Sequence, residues 1–267
     1  MLRGASAEAL RELIGSLGST GTLEDQARLG RDLFGVVGVL RGDAALRRAL
    51  TDNSVEGDSK AGLANAVFSA AVGDKAASVV ADAASRRWTF SGDLVTVLET
   101  LAVLTTVRSA GAKAKNVGNE LFGVRGIVDA DADLRSALSD PSRTSADRSS
   151  LLTGLLAGKV EPATETLVAE AVARGRGSVD SVLDEYLELA AEALEETVVT
   201  VHTARELSAA DQQRLSDALS RQYDTTVQLH VVLDPDLIGG LRVEIGDDVI
   251  DGAVSSRLDD ARRQVAG

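Results

Sequence analysis

The chain has 267 residues, of which 44% are hydrophobic and 26% charged, the balance of a globular protein that can bury one large core or a few small ones. Its formal net charge of −13 at pH 7 argues against a nucleic-acid partner, because phosphate binding requires clustered lysine and arginine. The absence of cysteine excludes disulfides, thiolate zinc sites and cysteine nucleophiles, and an aromatic content of 3% favours closely packed helices over a ligand pocket.

The first predicted element is a helix near residues 3–18. Its apolar residues are interrupted by Glu8 and Glu12, which is not the pattern of a secretory signal peptide. The apolar run at residues 34–40 is far shorter than the roughly 20 residues that cross a bilayer. The sequence therefore predicts a soluble chain.

The chain contains an internal repeat with an offset of 88 residues. Residues 29–68 match residues 117–156 without a gap, and Leu33-Phe34-Gly35-Val36 recurs as Leu121-Phe122-Gly123-Val124. Apolar residues fall at helical spacing in both copies, so both are predicted to be helical. Further identities between the copies are Gly38 with Gly126, Asp43-Ala44 with Asp131-Ala132, Leu46-Arg47 with Leu134-Arg135, Ala49-Leu50 with Ala137-Leu138, Asp52 with Asp140, and Ser54 with Ser142.

The same offset relates three longer helices, which are predicted near residues 3–18, 91–109 and 179–196. The middle helix is placed where it would serve both copies. The sequence thus predicts two tandem helical bundles, at residues 1–108 and 109–196.

Each copy keeps two glycines inside a predicted helix, although a glycine there costs about 1 kcal/mol relative to alanine. They are Gly35 and Gly38 in the first copy, and Gly123 and Gly126 in the second. Their presence suggests close contacts between helices. The alternative is that they are tolerated on the surface.

Two segments imitate ligand-binding motifs. Residues 154–160 resemble a phosphate-binding loop, but three residues separate the glycines instead of four, and Val160 replaces the hydroxyl that would hold magnesium. A helix end, with Gly158 as the stop, explains the segment better. Asp129, Asp131 and Asp133 imitate a calcium loop without its turn glycine, and helix capping accounts for them.

The two histidines, His202 and His230, lie on different predicted strands, and we expect both to be partly exposed strand residues without a metal or catalytic role. No pattern of an active site was found, so the chain is predicted to be non-catalytic and to hold no cofactor and no metal.

An acidic face is predicted on the helix that precedes the C-terminal region. A solvated surface is the first interpretation, and electrostatic steering of a basic partner helix is the alternative. The acidic residues are Asp184, Glu185, Glu188, Glu192, Glu195 and Glu196, opposite Val182, Leu183, Tyr186, Leu189 and Leu194.

From Thr197 the apolar period changes to that of a strand, so a third domain is predicted at residues 197–267. Ser208 is placed to cap a following helix, a second strand covers 227–233, a glycine-rich hairpin follows, and residues 254–265 form a last helix. The predicted fold is mainly α, with two tandem helical bundles followed by a small α+β module of the order β-α-β-β hairpin-α.

The hairpin is the most specific stretch of the chain. Gly239-Gly240 leaves the backbone free of Cβ atoms before a strand, and Gly246-Asp247-Asp248 supplies a turn between two short runs rich in β-branched residues. The stretch resembles the C-terminal signature of the delta subunit of F-type ATP synthases, the oligomycin-sensitivity-conferring protein of mitochondria; Ala253 departs from it, where the family has a small hydroxyl residue. Ten residues carry the resemblance, and it implies that their region contacts the stalk. They are Leu237, Gly239, Gly240, Gly246, Asp247, Val249, Ile250, Asp251, Gly252 and Arg257.

This resemblance implies a non-catalytic peripheral-stalk (stator) subunit with a duplicated helical bundle. It implies that the helical bundles bind alpha subunits of the catalytic head, that the C-terminal module binds b-type stalk subunits, and that the chain lies at the cytoplasmic face of the cell membrane without inserting into it. The alternative function is a helical adaptor of an unrelated complex.

Overall fold

The computed structural model divides into two compact units, residues 1–190 and 191–267. The first unit is helical and the second contains a sheet, which confirms the mainly α fold class with a small C-terminal α+β part. The residues that the structure describes are 2–17, 21–140, 142–174, 178–194, 196–223, 226–235, 237, 240–245 and 248–251.

The helices of the first unit follow one another with short connections. They are α1 (Ala5–Leu17), α2 (Leu23–Gly42), α3 (Ala44–Thr51), α4 (Gly57–Phe68), α5 (Asp74–Ser85), α6 (Asp93–Ser109), α7 (Ala114–Ala130), α8 (Ala132–Ser139), α9 (Ser145–Leu156), α10 (Pro162–Ala173) and α11 (Val179–Ala193). A short 3₁₀ turn, Gly111–Lys113, precedes α7.

The internal repeat is visible in the bounds of the helices. Both ends of α3, α4 and α5 recur 88 residues later as the ends of α8, α9 and α10, and α2 corresponds to α7. The three related helices are α1, α6 and α11. The prediction of a helix to residue 196 was too long, because Glu196 pairs with Thr226 at the start of a strand instead.

The same side chains set the same helix ends in both copies. Asp43 Oδ1 accepts hydrogen bonds from the backbone N–H groups of Ala45 and Leu46 at 2.9 Å, and so caps α3. Asp131 Oδ1 does the same for α8 at 3.0 Å. These bonds satisfy donors that a helix start leaves without partners, so repeated residues reproduce repeated helix ends.

A carboxylate of the second helix of each copy also reaches the start of the fifth helix. Asp32 Oδ2 accepts a bond from Gly73 N–H at 2.9 Å. In the second copy Glu120 Oε2 accepts bonds from Glu161 N–H at 2.9 Å and from the Thr164 hydroxyl at 2.6 Å. Negative charge at a helix N-terminus is favourable, so each copy ties these two helices together by the same device.

Helix α6 lies at the centre of the first unit, where 13 of its 17 residues are buried. A helix that is apolar on every side needs neighbours all round. Helices of both copies supply them: α2 and α5 contact α6 from the first copy, and α7 and α10 contact it from the second. Helices of both copies therefore pack against the middle helix.

Gly30 of α2 lies close against α6. A Cβ atom there would lie 2.3 Å from Thr106 Oγ1 and 3.3 Å from the Ala102 carbonyl oxygen, both on α6. Gly30 thus lets the backbone of α2 approach that of α6.

The glycines that the sequence singled out do not have this role. Gly35, Gly38, Gly123 and Gly126 are exposed, and nothing lies within 4 Å of a Cβ atom built on any of them. The prediction of close helix contacts at these positions was wrong, and their interpretation as tolerated surface glycines is confirmed. Their helices are anchored instead by apolar residues on the opposite face, such as Leu33 and Leu121.

The second unit contains a four-stranded sheet of order β2-β1-β3-β4. Its elements are β1 (Glu196–Thr203), α12 (Ala209–Tyr223), β2 (Thr226–Leu233), β3 (Leu241–Ile245) and β4 (Asp248–Asp251). β1 and β2 are parallel, with α12 as the crossover, while β3 pairs antiparallel with both β1 and β4. This order confirms the predicted strand, helix, strand and hairpin.

One face of this sheet carries the apolar core of the unit. Val199, Val201, Val227 and Val243 pack there with Leu219 of α12. The Ser208 hydroxyl accepts a bond from Asp211 N–H at 3.2 Å, which confirms the predicted N-cap of α12. The predicted helix at residues 254–265 lies outside the described residues.

Within the described part of the chain no single helix is long and apolar enough to cross a bilayer. α6 and the segment Gly111–Ala130 satisfy the criteria only together, across a bend of 105°, and α6 is largely buried.

Candidate functional site

The predicted stalk-contact residues lie on and around the β3–β4 pair. Leu237 is half-buried, and Val249, Ile250 and Asp251 belong to β4. The remaining residues of the set, Gly239, Gly246, Asp247, Gly252 and Arg257, lie outside the described residues.

Gly240 has a φ of 88°, in the left-handed region that residues with a Cβ atom rarely adopt. It immediately precedes β3, which pairs with β4 from Arg242 opposite Asp251 to Ile245 opposite Asp248. Gly240 thus gives the chain a backbone conformation that it can adopt at the entry to β3 without strain.

Charged side chains occupy the face of the sheet opposite its apolar core. Arg242 and Glu244 form an ion pair with 2.6 Å between Nη2 and Oε1, and His202 Nε2 lies 3.6 Å from Glu244 Oε2. These residues alternate along β1 and β3 with the buried valines.

The two histidines differ in burial. The side chain of His202 is 22% exposed, as predicted, whereas His230 is only 3% exposed, so the prediction of partial exposure was wrong for it. Burial lowers the pKa of His230 to about 4, because removal from water disfavours the charged imidazolium. Because side chains alternate along β2, His230 and Val227 lie on opposite faces of this strand. Both side chains are buried, so both faces of the strand are covered at that point.

The two segments that imitate ligand motifs are structural. α9 ends at Leu156, Gly158 has a φ of 70°, and Lys159 Nζ donates to the Leu155 carbonyl oxygen at 3.0 Å. This is the predicted helix end, with a cation at the negative pole. Asp131 caps α8, which confirms its interpretation as a capping residue.

Part of the acidic face of α11 is used inside the helical unit. Asp184 Oδ1 lies 2.8 Å from Arg125 Nε, and Glu185 pairs with Arg174. Glu188 remains exposed to solvent. Whether this face steers a partner stays a prediction.

Two positions of the repeat expose an apolar side chain in both copies. Val39 and Ile127, on α2 and α7, are 50% and 54% exposed, and Val67 and Leu155, on α4 and α9, are 40% and 49% exposed. Scattered exposed apolar residues are normal in proteins, but the same two positions recur in both copies. Two exposed apolar positions are thus shared by the copies, whereas exposed Leu23, Val55, Leu63 and Phe90 have no exposed apolar counterpart in the second copy.

The two copies also meet at a polar cluster, the junction network, formed by Arg41 of α2, Glu99 of α6, Arg174 directly after α10 and Tyr186 of α11. Glu99 and Tyr186 are buried, whereas both arginine side chains are partly exposed. Glu99 is 4% exposed. Its Oε2 lies 2.5 Å from Arg41 Nη2, and its Oε1 accepts a hydrogen bond from the Tyr186 hydroxyl at 2.8 Å and lies 3.6 Å from Arg174 Nε. A buried carboxylate is thus surrounded by donors from both copies.

Burial and the adjacent Glu99 carboxylate raise the pKa of Tyr186, so its hydroxyl keeps the proton that it donates. Phe34 of α2 packs against the tyrosine, with 6.4 Å between ring centroids. The first copy therefore contacts α11 through both apolar and polar groups.

Sequence reasoning missed the junction network, although two signals were present. Glu99 is the one acidic residue between Leu94 and Val107 of a strongly apolar helix. Tyr186 stands where the related helices have Leu10 and Leu98. A polar residue that breaks an apolar repeat is a reason to look for a partner.

An open cleft of about 460 Å³ lies beside the junction network. Three guanidinium groups and three carboxylates line it, so its formal charges balance and favour neither an anion nor a cation. The charged residues are Arg41, Arg47, Arg174, Asp93, Glu99 and Glu185.

Comparison with known proteins identifies the family that the chain resembles. The family model described as the ATP synthase delta (OSCP) subunit matches residues 100–265, which include α6 from Thr100 onward, the second copy and nearly all of the C-terminal module. The first copy lies outside this match.

Similar proteins span both copies. The chain is 46% identical to "ATP synthase subunit delta" of a Nocardioides species, over 100% of this chain and 98% of the relative. It is 38% identical to the protein of the same name from Streptomyces coelicolor, over 99% and 98%, and 36% identical to that of Thermobifida fusca, over the whole of both chains. A chain of the Toxoplasma gondii mitochondrial ATP synthase hexamer aligns over 62% of this chain and 96% of its own length, with a TM-score of 0.35 and 19% identity, which is too weak to support an argument.

Proposed function

The chain belongs to the ATP synthase delta (OSCP) subunit family, and we propose that it joins the catalytic head to the membrane-anchored b-type stalk subunits at the cytoplasmic face of the cell membrane. As a member of this family it is a peripheral-stalk subunit of the F-type ATP synthase, a membrane-bound complex, and it is not an enzyme. The alternative, an adaptor of an unrelated complex, is not favoured, because relatives of this name match the chain over its whole length.

The head contact is assigned to the helical unit, which would bind amphipathic N-terminal helices of alpha subunits. The observation that carries this assignment is the recurrence of exposed Val39 and Val67 as Ile127 and Leu155. An amphipathic helix binds through apolar side chains spaced one helical turn apart. Exposed apolar side chains at equivalent positions of the two copies suit two segments of the same kind.

The two copies would engage the N-termini of different alpha subunits, or one alpha subunit and another element of the stalk. A stator must stay attached while the rotor applies torque. Several modest contacts achieve this because rebinding at one contact becomes intramolecular while another holds. The duplicated bundle would supply the additional contact.

The stalk contact is assigned to the C-terminal module. The family resemblance rests on its hairpin, and the order of the sheet leaves β2 and β4 as edges. Leu233 at the end of β2 is 53% exposed. An apolar residue at a sheet edge offers the ends of the b-type helices a place to pack.

Charge substitutions at the recurring apolar positions test the head contact. Val39→Asp and Ile127→Asp in the full-length chain should each weaken rebinding to ATP synthase depleted of this subunit by about tenfold, the factor expected when one apolar anchor is lost. The double variant should rebind more weakly than either single variant. The control, Asn116→Asp, adds a negative charge at an exposed polar position of α7 and should rebind normally. Normal rebinding of all variants would contradict the assignment.

Crosslinking separates the two versions of the proposal. Because the chain has no cysteine, a single cysteine at residue 39 or 127 carries a photo-crosslinker without competition. Crosslinks to alpha subunits from both positions support binding of two alpha N-termini. A crosslink to a b-type subunit from one position supports the mixed arrangement.

A further inference from the structure

A chain with two homologous helical bundles can assemble wrongly by exchanging equivalent helices. α2 and α7 are equivalent, as are α1, α6 and α11, and their apolar residues share one pattern. Exchange of identical elements between copies or between molecules is a characteristic failure of repeated folds. Apolar packing around α6 gives little protection against such an exchange, because this helix is buried on every side and its apolar surface does not specify one neighbour.

Three of the four residues of the junction network are not conserved by the repeat; the fourth, Arg174, recurs as Arg86. Arg41 corresponds to Asp129, and Glu99 corresponds to Arg11 in α1 and Leu187 in α11. This contrasts with the capping residues, which are the same in both copies. The chain therefore differs between its copies at the point where they touch.

An exchange of α2 for α7 against α6 would be disfavoured by charge. Asp129 would replace Arg41 opposite Glu99, which is 4% exposed. Two carboxylates would then face each other in place of the observed ion pair. Like charges at a buried position oppose this arrangement.

An exchange of α6 for either related helix would also break the pairing. If α1 took the place of α6, Arg11 would face Arg41. If α11 took that place, Leu187 would face Arg41. The first arrangement opposes two cations, and the second leaves Arg41 without its carboxylate.

A further exchange places α6 where α11 lies. Leu98 would then occupy the position of Tyr186, whose hydroxyl donates to Glu99 at 2.8 Å in the observed arrangement. The buried carboxylate would lose this donor. Each of these exchanges therefore costs at least one contact of the junction network, whereas an exchange of α5 for α10 would keep an arginine, Arg86, at the position of Arg174.

We propose that the junction network is a register key, which ensures that α2, α6 and α11 of one chain pack together in their observed order and prevents the exchange of these helices for their equivalents. Buried ion pairs contribute little net stability compared with apolar packing, but a buried polar group can specify one arrangement among several. The key acts on assembly of the chain itself and does not depend on which partners the subunit binds.

Substitutions that make the copies alike test this proposal. Glu99→Leu gives α6 the residue of α11, and the full-length variant should form helix-exchanged dimers and larger species after refolding. The dimer fraction should rise by about tenfold over wild type, the factor that corresponds to one hydrogen bond to a charged group. The fraction is measured by size-exclusion chromatography with light scattering, and exchange is confirmed by hydrogen-deuterium exchange protection of α2 and α6 in the dimer.

The matched control is Glu12→Leu. Glu12 pairs with Arg86, the equivalent of Arg174, but the pair lies within the first copy. This variant should stay monomeric. Equal dimer fractions for Glu12→Leu and Glu99→Leu, or a Glu99→Leu chain that is monomeric with wild-type protection, would overturn the proposal.

Milder variants decide the question if Glu99→Leu fails to fold. Tyr186→Phe removes one donor and Glu99→Gln removes the charge while nearly preserving the side-chain volume. A rise in dimer fraction for either variant above that of Glu12→Leu supports the key, and monomers throughout would count against it.

Discussion

The two helical copies agree in their local structure and differ where they meet. Asp43 and Asp131 cap the equivalent helices α3 and α8. The arginines four residues later, Arg47 and Arg135, each donate to carbonyl groups at the end of the preceding helix. At the junction, by contrast, Arg41 and its counterpart Asp129 carry opposite charges. The comparison teaches that repeated residues set the helix ends and much of the packing within each copy, while the contacts where the copies meet include residues that differ between them.

The largest expected effect comes from filling the contact between α2 and α6. Gly30→Ala should destabilise the protein by about 1–3 kcal/mol, because the added methyl group overpacks the space held by Thr106 and the Ala102 carbonyl. Chemical denaturation followed by circular dichroism measures the change. An unaltered midpoint would show that the two backbones can separate without cost.

Removal of the carboxylate that links the second and fifth helices should affect the copies unequally. Glu120→Ala loses two donors, the Glu161 N–H and the Thr164 hydroxyl, and should cost about 1–3 kcal/mol. Asp32→Ala loses the Gly73 N–H and should cost about 0.5–2 kcal/mol. The free energies of unfolding of the two variants test this order, and a larger loss for Asp32→Ala would contradict it.

Replacing the exposed glycines with alanine should raise the stability of the protein, whereas the same change at Gly30 should lower it. Gly38→Ala and Gly126→Ala add a methyl group in open space, so each should stabilise its helix by about 0.5–1 kcal/mol. The measurement is the same denaturation curve. Similar gains in both copies would sharpen the comparison, while a loss in either would show a contact at that position.

The smallest expected effect is on the stability of the protein at low pH. The Ser54 hydroxyl and N–H, which donate to Asp52, hold the pKa of this carboxyl below its usual value of 3.8, and Ser142 does the same for Asp140. Because the folded-state pKa is depressed, the stabilisation is present above pH 3.8 and is lost as the pH falls through the folded-state value.

Asp52→Asn and Asp140→Asn should therefore reduce the loss of stability below pH 4 by equal amounts. Thermal unfolding midpoints between pH 7 and pH 3 measure it. If the unfolding midpoints of the two variants fell by different amounts at low pH, the turns at Asp52 and Asp140 would not be equivalent in the folded protein.

Much of the fold followed from the sequence, because its signals are local. The repeat at 88 residues predicted related helices in both copies, and the change of period after Thr197 predicted the sheet module. The capping roles of Asp131 and Ser208 were also correct, since a cap depends only on residues two or three positions away.

The errors have a common physical cause, which is that burial depends on distant parts of the chain. Gly38 and Gly30 are both glycines in one helix, and only packing against α6 distinguishes them. His230 was expected to be partly exposed because strand alternation cannot show that both faces of a strand are covered. The pairing of Glu99 with Tyr186 joins residues 87 positions apart, and no local pattern contains it.

The division of the helical region near residue 108 stays a prediction, but the shared helix gives it a mechanical consequence. Two bundles joined by a loop would form a hinge and would bend under a sideways pull. Here helices of both copies pack against α6, so neither copy can tilt without disturbing the packing of the other. A torsional load on one copy is therefore transmitted to the other through this helix and is not taken up by a hinge.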